Sequence, residues 1–216
     1  MYFDDRRDAG CRLARALAHL AGTPGVVYAL PRGGVIPGAE VARALDWPLD
    51  LVMARKVGHP LNPECAIAAV VADGTLTGDA DILAGLDPDW LAAAVARERT
   101  EAQRRYALYL RGRESPLVSG RTALVVDDGV ATGLTLRAAI GEVRRRRPAR
   151  VVVAVPVVPA PVAAALRAQV DELVALDAPE DYLGAVGAYY ADFPQLTDAQ
   201  VCAVLDGMRH RAPPAP

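Results

Sequence analysis

Residues 122–136 read TALVVDDGVATGLTL. Thr122 to Val126 have the composition of a central strand. Two adjacent acids, Asp127 and Asp128, follow. GVATG then turns the chain toward a helix expected to begin near Leu134. In parallel sheets, ligands bind just beyond the carboxyl ends of the strands, which is where these acids fall. Backbone N–H groups in a glycine-rich turn and at a helix N-terminus favour an anion. Thr132 and Thr135 add hydroxyl donors. Two sites therefore lie side by side: the loop suits a phosphate, and the carboxylates suit hydroxyls or a metal ion. Two competing motifs are absent. No GxxxxGKS or GxxxxGKT occurs, and no GxGxxG follows a strand.

The flanking sequence alternates strands with helices, the signature of an α/β fold with a central, mostly parallel sheet. A first helix is expected over 6–20, with Leu13, Ala16, Leu17 and Leu20 on one face. VVYAL (26–30) reads as a strand, 35–45 as a helix and LDLVMAR (49–55) as a second core strand. Residues 57–86 break the rhythm. VGHPLNPE reads as a loop, and AIAAVVADGTLTG as a hairpin turning at Asp73-Gly74. A long helix over 88–112 starts with Asp87 at the N-cap and Pro88 in its first turn. The rhythm resumes with a strand at 122–126, a helix at 134–146, a strand at 150–155, a helix at 160–169 and a strand at 172–176. RRRR (144–147) ends a helix, where cations complement the dipole. A last helix over 197–209 is capped by Thr197 or Asp198, and APPAP is expected to fray.

Composition narrows the function. The 216 residues are 52% hydrophobic and 23% charged with a formal net charge of −2. That marks a globular chain and argues against a generally basic nucleic-acid binder. The cysteines (Cys11, Cys65, Cys202) and histidines (His19, His59, His210) are scattered and match no disulfide, zinc or redox spacing. The charged N-terminus has no apolar signal core. The longest apolar run, VVVAVPVVPAPVAAAL, contains three prolines and reads as strand, turn and helix rather than a membrane span. The expected location is the cytoplasm.

Two further segments carry chemistry. LPRGG (30–34) follows the first core strand; its paired glycines allow close backbone approach, and Arg32 adds a permanent positive charge. In ARKVGHPLNPE (54–64), Lys56 is the only lysine among 24 basic residues. Lysine is a compact point charge suited to phosphate. Neighbours on a strand point opposite ways, so one of Arg55 and Lys56 faces the site.

ALVVDDGVATGLTL resembles the signature of the type I phosphoribosyltransferases: four hydrophobic residues, two acids, then a loop ending in Thr-Gly with a further Thr. FDDRRDAGCRLARAL, ALPRGGVIPGAEVA, PECAIAAV and VGAYYADF are similar to blocks of a bacterial group within that family. The resemblance implies the family's fold over roughly residues 25–177. A variable hood would come from about 1–22 and 178–210, and an inserted hairpin plus long helix from about 57–113. All 216 residues would form one domain. It also implies a substrate, 5-phosphoribosyl-1-diphosphate (PRPP). Asp127 and Asp128 would bind the ribose hydroxyls. Gly129, Val130, Ala131, Thr132, Gly133, Leu134 and Thr135 would cradle the 5′-phosphate. Arg32, Gly33, Gly34, Arg55 and Lys56 would contact pyrophosphate. The catalytic set would be Lys56, Arg32 and Asp128.

Mg²⁺ would arrive with PRPP near Asp127 and Asp128 rather than in a protein cage. A homodimer is implied, with no membrane or nucleic-acid partner. The acceptor is a small nitrogen nucleophile, most simply a nucleobase. Tyr182 and Phe193 are the aromatic candidates to contact it, although such residues also serve as core or interface. Members acting on hypoxanthine or guanine typically carry an aspartate where this chain has Ala131, so the pattern is closer to adenine and orotate enzymes. A PRPP- or nucleotide-binding regulator without turnover is the alternative function, and another sugar-phosphate-binding protein is a third.

Overall fold

The computed structural model describes residues 2–209. APPAP and His210 lie outside the described residues. The elements run α1 (Arg6–Ala16), β1 (Gly25–Ala29), α2 (Val35–Leu45), β2 (Leu49–Leu51), β3 (Ala54–His59), β4 (Asn62–Val71), β5 (Leu76–Gly78), α3 (Ala80–Ala84) and α4 (Pro88–Leu110). They continue with β6 (Thr122–Val126), α5 (Leu134–Arg145), β7 (Arg150–Val157), α6 (Ala160–Arg167), β8 (Glu172–Asp177) and α7 (Asp198–Arg209). A 3₁₀ turn (Ala18–Leu20) follows α1, so the first helix ends earlier than its apolar face implied.

Five strands form a parallel sheet in the order β2-β1-β6-β7-β8. Its central strands are near-continuous apolar runs because helices cover both faces. Alternate side chains serve opposite faces. Val26, Tyr28, Val125 and Val153 pack with Leu136, Ile140 and Val143 of α5 and Leu166 of α6. Val27, Leu124, Val126 and Val152 pack with Leu13 and Leu17 of α1 and Val41 and Leu45 of α2.

The strand order makes the site. From β1 the chain moves outward to β2; from β6 it moves outward to β7. The connections after the adjacent strands β1 and β6 therefore part, and a crevice opens between them at their carboxyl ends. LPRGG leaves β1 and DDGVATG leaves β6 at that crevice.

Two expectations change. LDLVMAR is not one strand: β2 ends at Leu51, and β3 starts a separate antiparallel sheet, β3-β4-β5, at Ala54. Val52 donates to the Ala29 carbonyl at 3.1 Å as its last tie to the main sheet. No glycine or proline marks the switch, because the junction is itself buried. Nor is VGHPLNPE a loop. β3 and β4 pair through it, with register shifts on either side of Gly58 that absorb the irregular residues. The hairpin turning at Asp73-Gly74 is present as β4–β5. This second sheet packs its Val57, Ala68 and Val70 on Ala94 of α4.

The helix caps follow local chemistry. Asp87 accepts from the Trp90 N–H at 2.8 Å. Thr197 and Gln200 close a reciprocal capping box at α7, with N–H contacts of 3.2 and 2.8 Å. No helix among the described residues is long and apolar enough to cross a membrane.

Candidate active site

The crevice between the two loops is narrow. A Cβ on Gly33 would lie 1.8 Å from Oδ2 of Asp128, so the backbone after β1 touches the acid after β6 only because residue 33 has no side chain. Gly133, at φ 78°, takes the left-handed conformation that starts α5. The first-turn N–H groups of α5 have no intrahelical acceptor and face the turn. The Pro31–Arg32 peptide bond is cis.

Two joined cavities occupy this place. One is lined by the turn from Asp127 to Gly133, by Thr135 and Leu136, and by Val186 and Phe193 from the tail. The other is lined by Arg32, Gly33, Arg55 and Arg105. Lys56, Asp127, Asp128 and Thr135 line both and mark the junction. Of the sequence-predicted residues, these cavities gather the acids, the turn from Gly129 to Gly133, Thr135, Arg32, Gly33, the Arg55-Lys56 pair and Phe193; Leu134 packs against the core instead, and Gly34 lies against the Leu30 and Val126 carbonyls. Arg55 also pairs with Glu98 of α4, its Nε and Nη2 lying 2.8 and 2.7 Å from the same oxygen, Oε2. Lys56 is thus the cation of that pair that reaches both cavities. It sits in β3 of the second sheet, not at the end of a core strand.

Tyr182 does not line either cavity. Its ring stacks on Tyr189 at 5.5 Å, and burial pushes its hydroxyl up to about 12.

The acids are electrostatically strained and internally braced. Burial pushes the Asp127 carboxyl well above the usual carboxylate range, and the Asp128 charge adds to the push. Asp127 Oδ1 accepts the Asp128 N–H at 2.8 Å. Asp128 Oδ2 accepts from Arg6 Nε at 2.7 Å. The Tyr190 hydroxyl, kept protonated by burial, donates to the Asp128 carbonyl at 2.6 Å.

Folding raises the Asp127 carboxyl, so its contribution favours the fold below the ordinary carboxylate range. That contribution is lost as pH climbs through the raised value. Asp127→Asn removes the loss and keeps the acceptor for the Asp128 N–H. Without ligand and in chelator, this variant is expected to melt above wild type near neutral pH, with the gap closing near about pH 3.5. Thermal melts across that range check it; a lower-melting variant at neutral pH would contradict the placement.

No cluster of three or more His, Cys, Asp or Glu among the described residues forms a metal cage. Magnesium, however, commonly binds through one or two carboxylates plus substrate oxygens. The crowded Asp127–Asp128 pair fits that donor set, because a cation there offsets the charge that burial penalises.

The family model described as the phosphoribosyl transferase domain matches residues 8–177. The chain belongs to the phosphoribosyltransferase family. It is 42% identical over 206 residues to a Mycobacterium tuberculosis protein named "Putative phosphoribosyl transferase", a match covering 94% of this chain and 46% of that protein. The chain thus spans about half the length of the curated relatives it matches. The crystal structure of TT1426 from Thermus thermophilus superposes with a TM-score of 0.79 at 47% identity, covering 95% of this chain and 98% of that one. A structure of the AQ2163 protein from Aquifex aeolicus shares the fold alone, with a TM-score of 0.52 at 10% identity over 80% and 73% of the two chains.

Within this phosphoribosyltransferase fold, three residues at the crevice escape sequence reasoning: Arg6, Arg105 and Val186. Arg6 and Arg105 sit in arginine-rich helices where nothing local distinguishes them. Val186 lies in a 3₁₀ turn (Val186–Tyr189), and a Cβ on Gly129 would approach it to 2.4 Å. Only the tertiary fold brings them in.

Proposed function

We propose that the chain transfers the 5-phosphoribosyl group of PRPP to a nitrogen nucleophile, with pyrophosphate leaving. The observation that carries this reading is the pair of cavities sharing Asp127, Asp128, Lys56 and Thr135. A substrate with phosphates at both ends and a diol between matches that order. The 5′-phosphate belongs at the α5 N-terminus beside Thr132 and Thr135. The ribose lies at the junction, its hydroxyls on the two acids. The pyrophosphate extends toward Arg32, Lys56 and Arg105.

Breaking the C1–O bond gives C1 oxocarbenium character, as in glycoside chemistry. Arg32 and Lys56 stabilise the charge that gathers on the departing pyrophosphate. Mg²⁺, when bound, supplies further neutralisation of the diphosphate. Asp127 and Asp128 orient the ribose, and their negative charge favours the cation developing at C1. Val186 and the edge of the Phe193 ring, whose faces are taken by Arg6 and Tyr190, offer apolar contact for a nucleobase. Ala131 places no proton-transfer group at its loop position, which favours an acceptor that needs no side-chain acid there. Lys56 is carried on the β3–β4 hairpin, which takes in the segment that reads as a loop in the sequence.

Lys56→Ala is expected to slow turnover about a hundredfold and to raise the PRPP dissociation constant far less, because its charge matters most as the leaving group departs. An unchanged rate removes Lys56 from the mechanism. The function itself is tested by pyrophosphate release from PRPP and Mg²⁺ against a panel of nucleobases. Release with any base supports the transferase. PRPP binding without release across the panel favours a PRPP-binding regulator.

A further inference from the structure

Arg6 and Asp50 are the two buried charged side chains among the described residues. Asp50 serves the fold: it accepts from the Leu51 N–H and pairs with Arg146 at 3.2 Å. Arg6 points elsewhere. From the first turn of α1, its Nε donates to Asp128 Oδ2 at 2.7 Å, and its Nη1 donates to the Pro194 carbonyl at 2.7 Å. Its guanidinium also lies 3.6 Å from the centroid of the Phe193 ring. Phe193 in turn stacks on Tyr190 at 4.6 Å, and the Tyr190 hydroxyl holds the Asp128 backbone. The four residues, with the Asp128 backbone carbonyl as one link, close a ring of contacts that joins the N-terminal helix, the tail and the acidic pair.

This ring has a consequence for the acids. One oxygen of each is already committed: Asp127 Oδ1 to the Asp128 N–H, and Asp128 Oδ2 to Arg6. Each carboxylate then has one further oxygen, and a ribose diol has two hydroxyls. A planar guanidinium suits the task because it bonds through two nitrogens in fixed directions while stacking on an aromatic face. A lysine ammonium supplies the charge without the fork or the stack.

We infer that Arg6 is a positioning residue: it fixes the Asp128 carboxylate so that one oxygen faces the ribose, and it ties Phe193 at the acceptor end to that same carboxylate. The inference rests on the phosphoribosyl-transfer reading. It requires loss of both the charge and the stack at Arg6 to disturb the PRPP end and the acceptor end, and loss of the stack alone to disturb only the acceptor end, a split that a merely structural arginine would not produce.

The test measures PRPP affinity in Mg²⁺ by calorimetry, and the acceptor KM wherever the base panel gives turnover, for wild type, Arg6→Gln and Arg6→Lys. Arg6→Gln is expected to weaken PRPP binding about tenfold or more and to raise the acceptor KM. Arg6→Lys, which keeps a cation for Asp128 but loses the stacked fork, is expected to hold PRPP affinity within about threefold of wild type while the acceptor KM still rises. PRPP affinity in Arg6→Gln equal to that of wild type overturns the inference. Should Arg6→Gln not fold, Arg6→Lys decides. Wild-type values at both ends, or a loss of PRPP affinity of tenfold or more at a wild-type melting temperature, overturn the inference. Wild-type protein that binds no PRPP overturns the phosphoribosyl reading itself and the inference with it, a failure distinct from a silent Arg6 variant.

Discussion

Asp128→Asn is expected to weaken PRPP binding about a hundredfold, the scale of losing a charged hydrogen bond to a ligand hydroxyl. Two effects add. The amide no longer offers a full negative charge to the ribose hydroxyls and the magnesium-bearing substrate. It also leaves the buried guanidinium of Arg6 without its counter-charge, although the Pro194 carbonyl still accepts one of its hydrogens. A broken buried pair costs about 3–5 kcal/mol when one partner is removed, so the variant is also expected to melt lower than wild type. Calorimetric titration well below the melting temperature separates binding from unfolding. Arg113→Ala, which alters an arginine 3.3 Å from Asp206 that lines neither cavity, is expected to leave PRPP affinity unchanged. Equal PRPP affinity in wild type and Asp128→Asn would remove Asp128 from the site.

Gly33→Ala is expected to lower kcat/KM by about a hundredfold, the cost of displacing a reacting group by about 1 Å. The added Cβ would lie 1.8 Å from Asp128 Oδ2 and 2.4 Å from its Cγ. The carboxylate cannot simply swing away, because Arg6 grips that same oxygen and Tyr190 holds the backbone behind it. Residue 33 has no positive φ, so alanine brings no intrinsic backbone strain of its own. The damage is therefore expected in the site more than in the fold: a large fall in kcat/KM with a modest change in melting temperature. Steady-state pyrophosphate release and a thermal melt on the same preparation check both. A fully active Gly33→Ala variant would mean that the loops after β1 and β6 do not meet as described.

The sequence carried the parallel sheet because its central strands are buried on both faces. Runs such as VVYAL, TALVV and the valines after Arg150 have no other stable use. It carried the acid pair and the anion turn because their chemistry is local: strand, acids, glycine turn and helix start are contiguous. It did not carry the break between β2 and β3, since Val52 and Met53 are as apolar as the strands they separate. VGHPLNPE looks like a loop because glycine and proline are strand breakers, yet a bulged hairpin accommodates them. Arg6 was illegible for a different reason. Its partner Asp128 is 122 residues away, and RR in a charged first turn looks like any solvated helix start. Tyr182 had the right residue type in the right segment, but its ring stacks on Tyr189. Which ring of an aromatic-rich tail faces a cavity depends on how the tail folds back on the N-terminal segment, here through Phe3 and the Tyr189 carbonyl at 2.9 Å.

One crevice, built where the chain leaves β1 and β6, is expected to hold PRPP with Mg²⁺. A thermal melt of the wild-type chain with millimolar PRPP and Mg²⁺ tests it most directly. Ligand at about 100 times its dissociation constant adds about 2.7 kcal/mol to stability, which for a chain of this size raises the melting temperature by roughly 5–10 °C. That rise is expected with PRPP and Mg²⁺ together, and it is expected to vanish in Asp128→Asn. An unchanged melting temperature at millimolar PRPP with Mg²⁺ would contradict it.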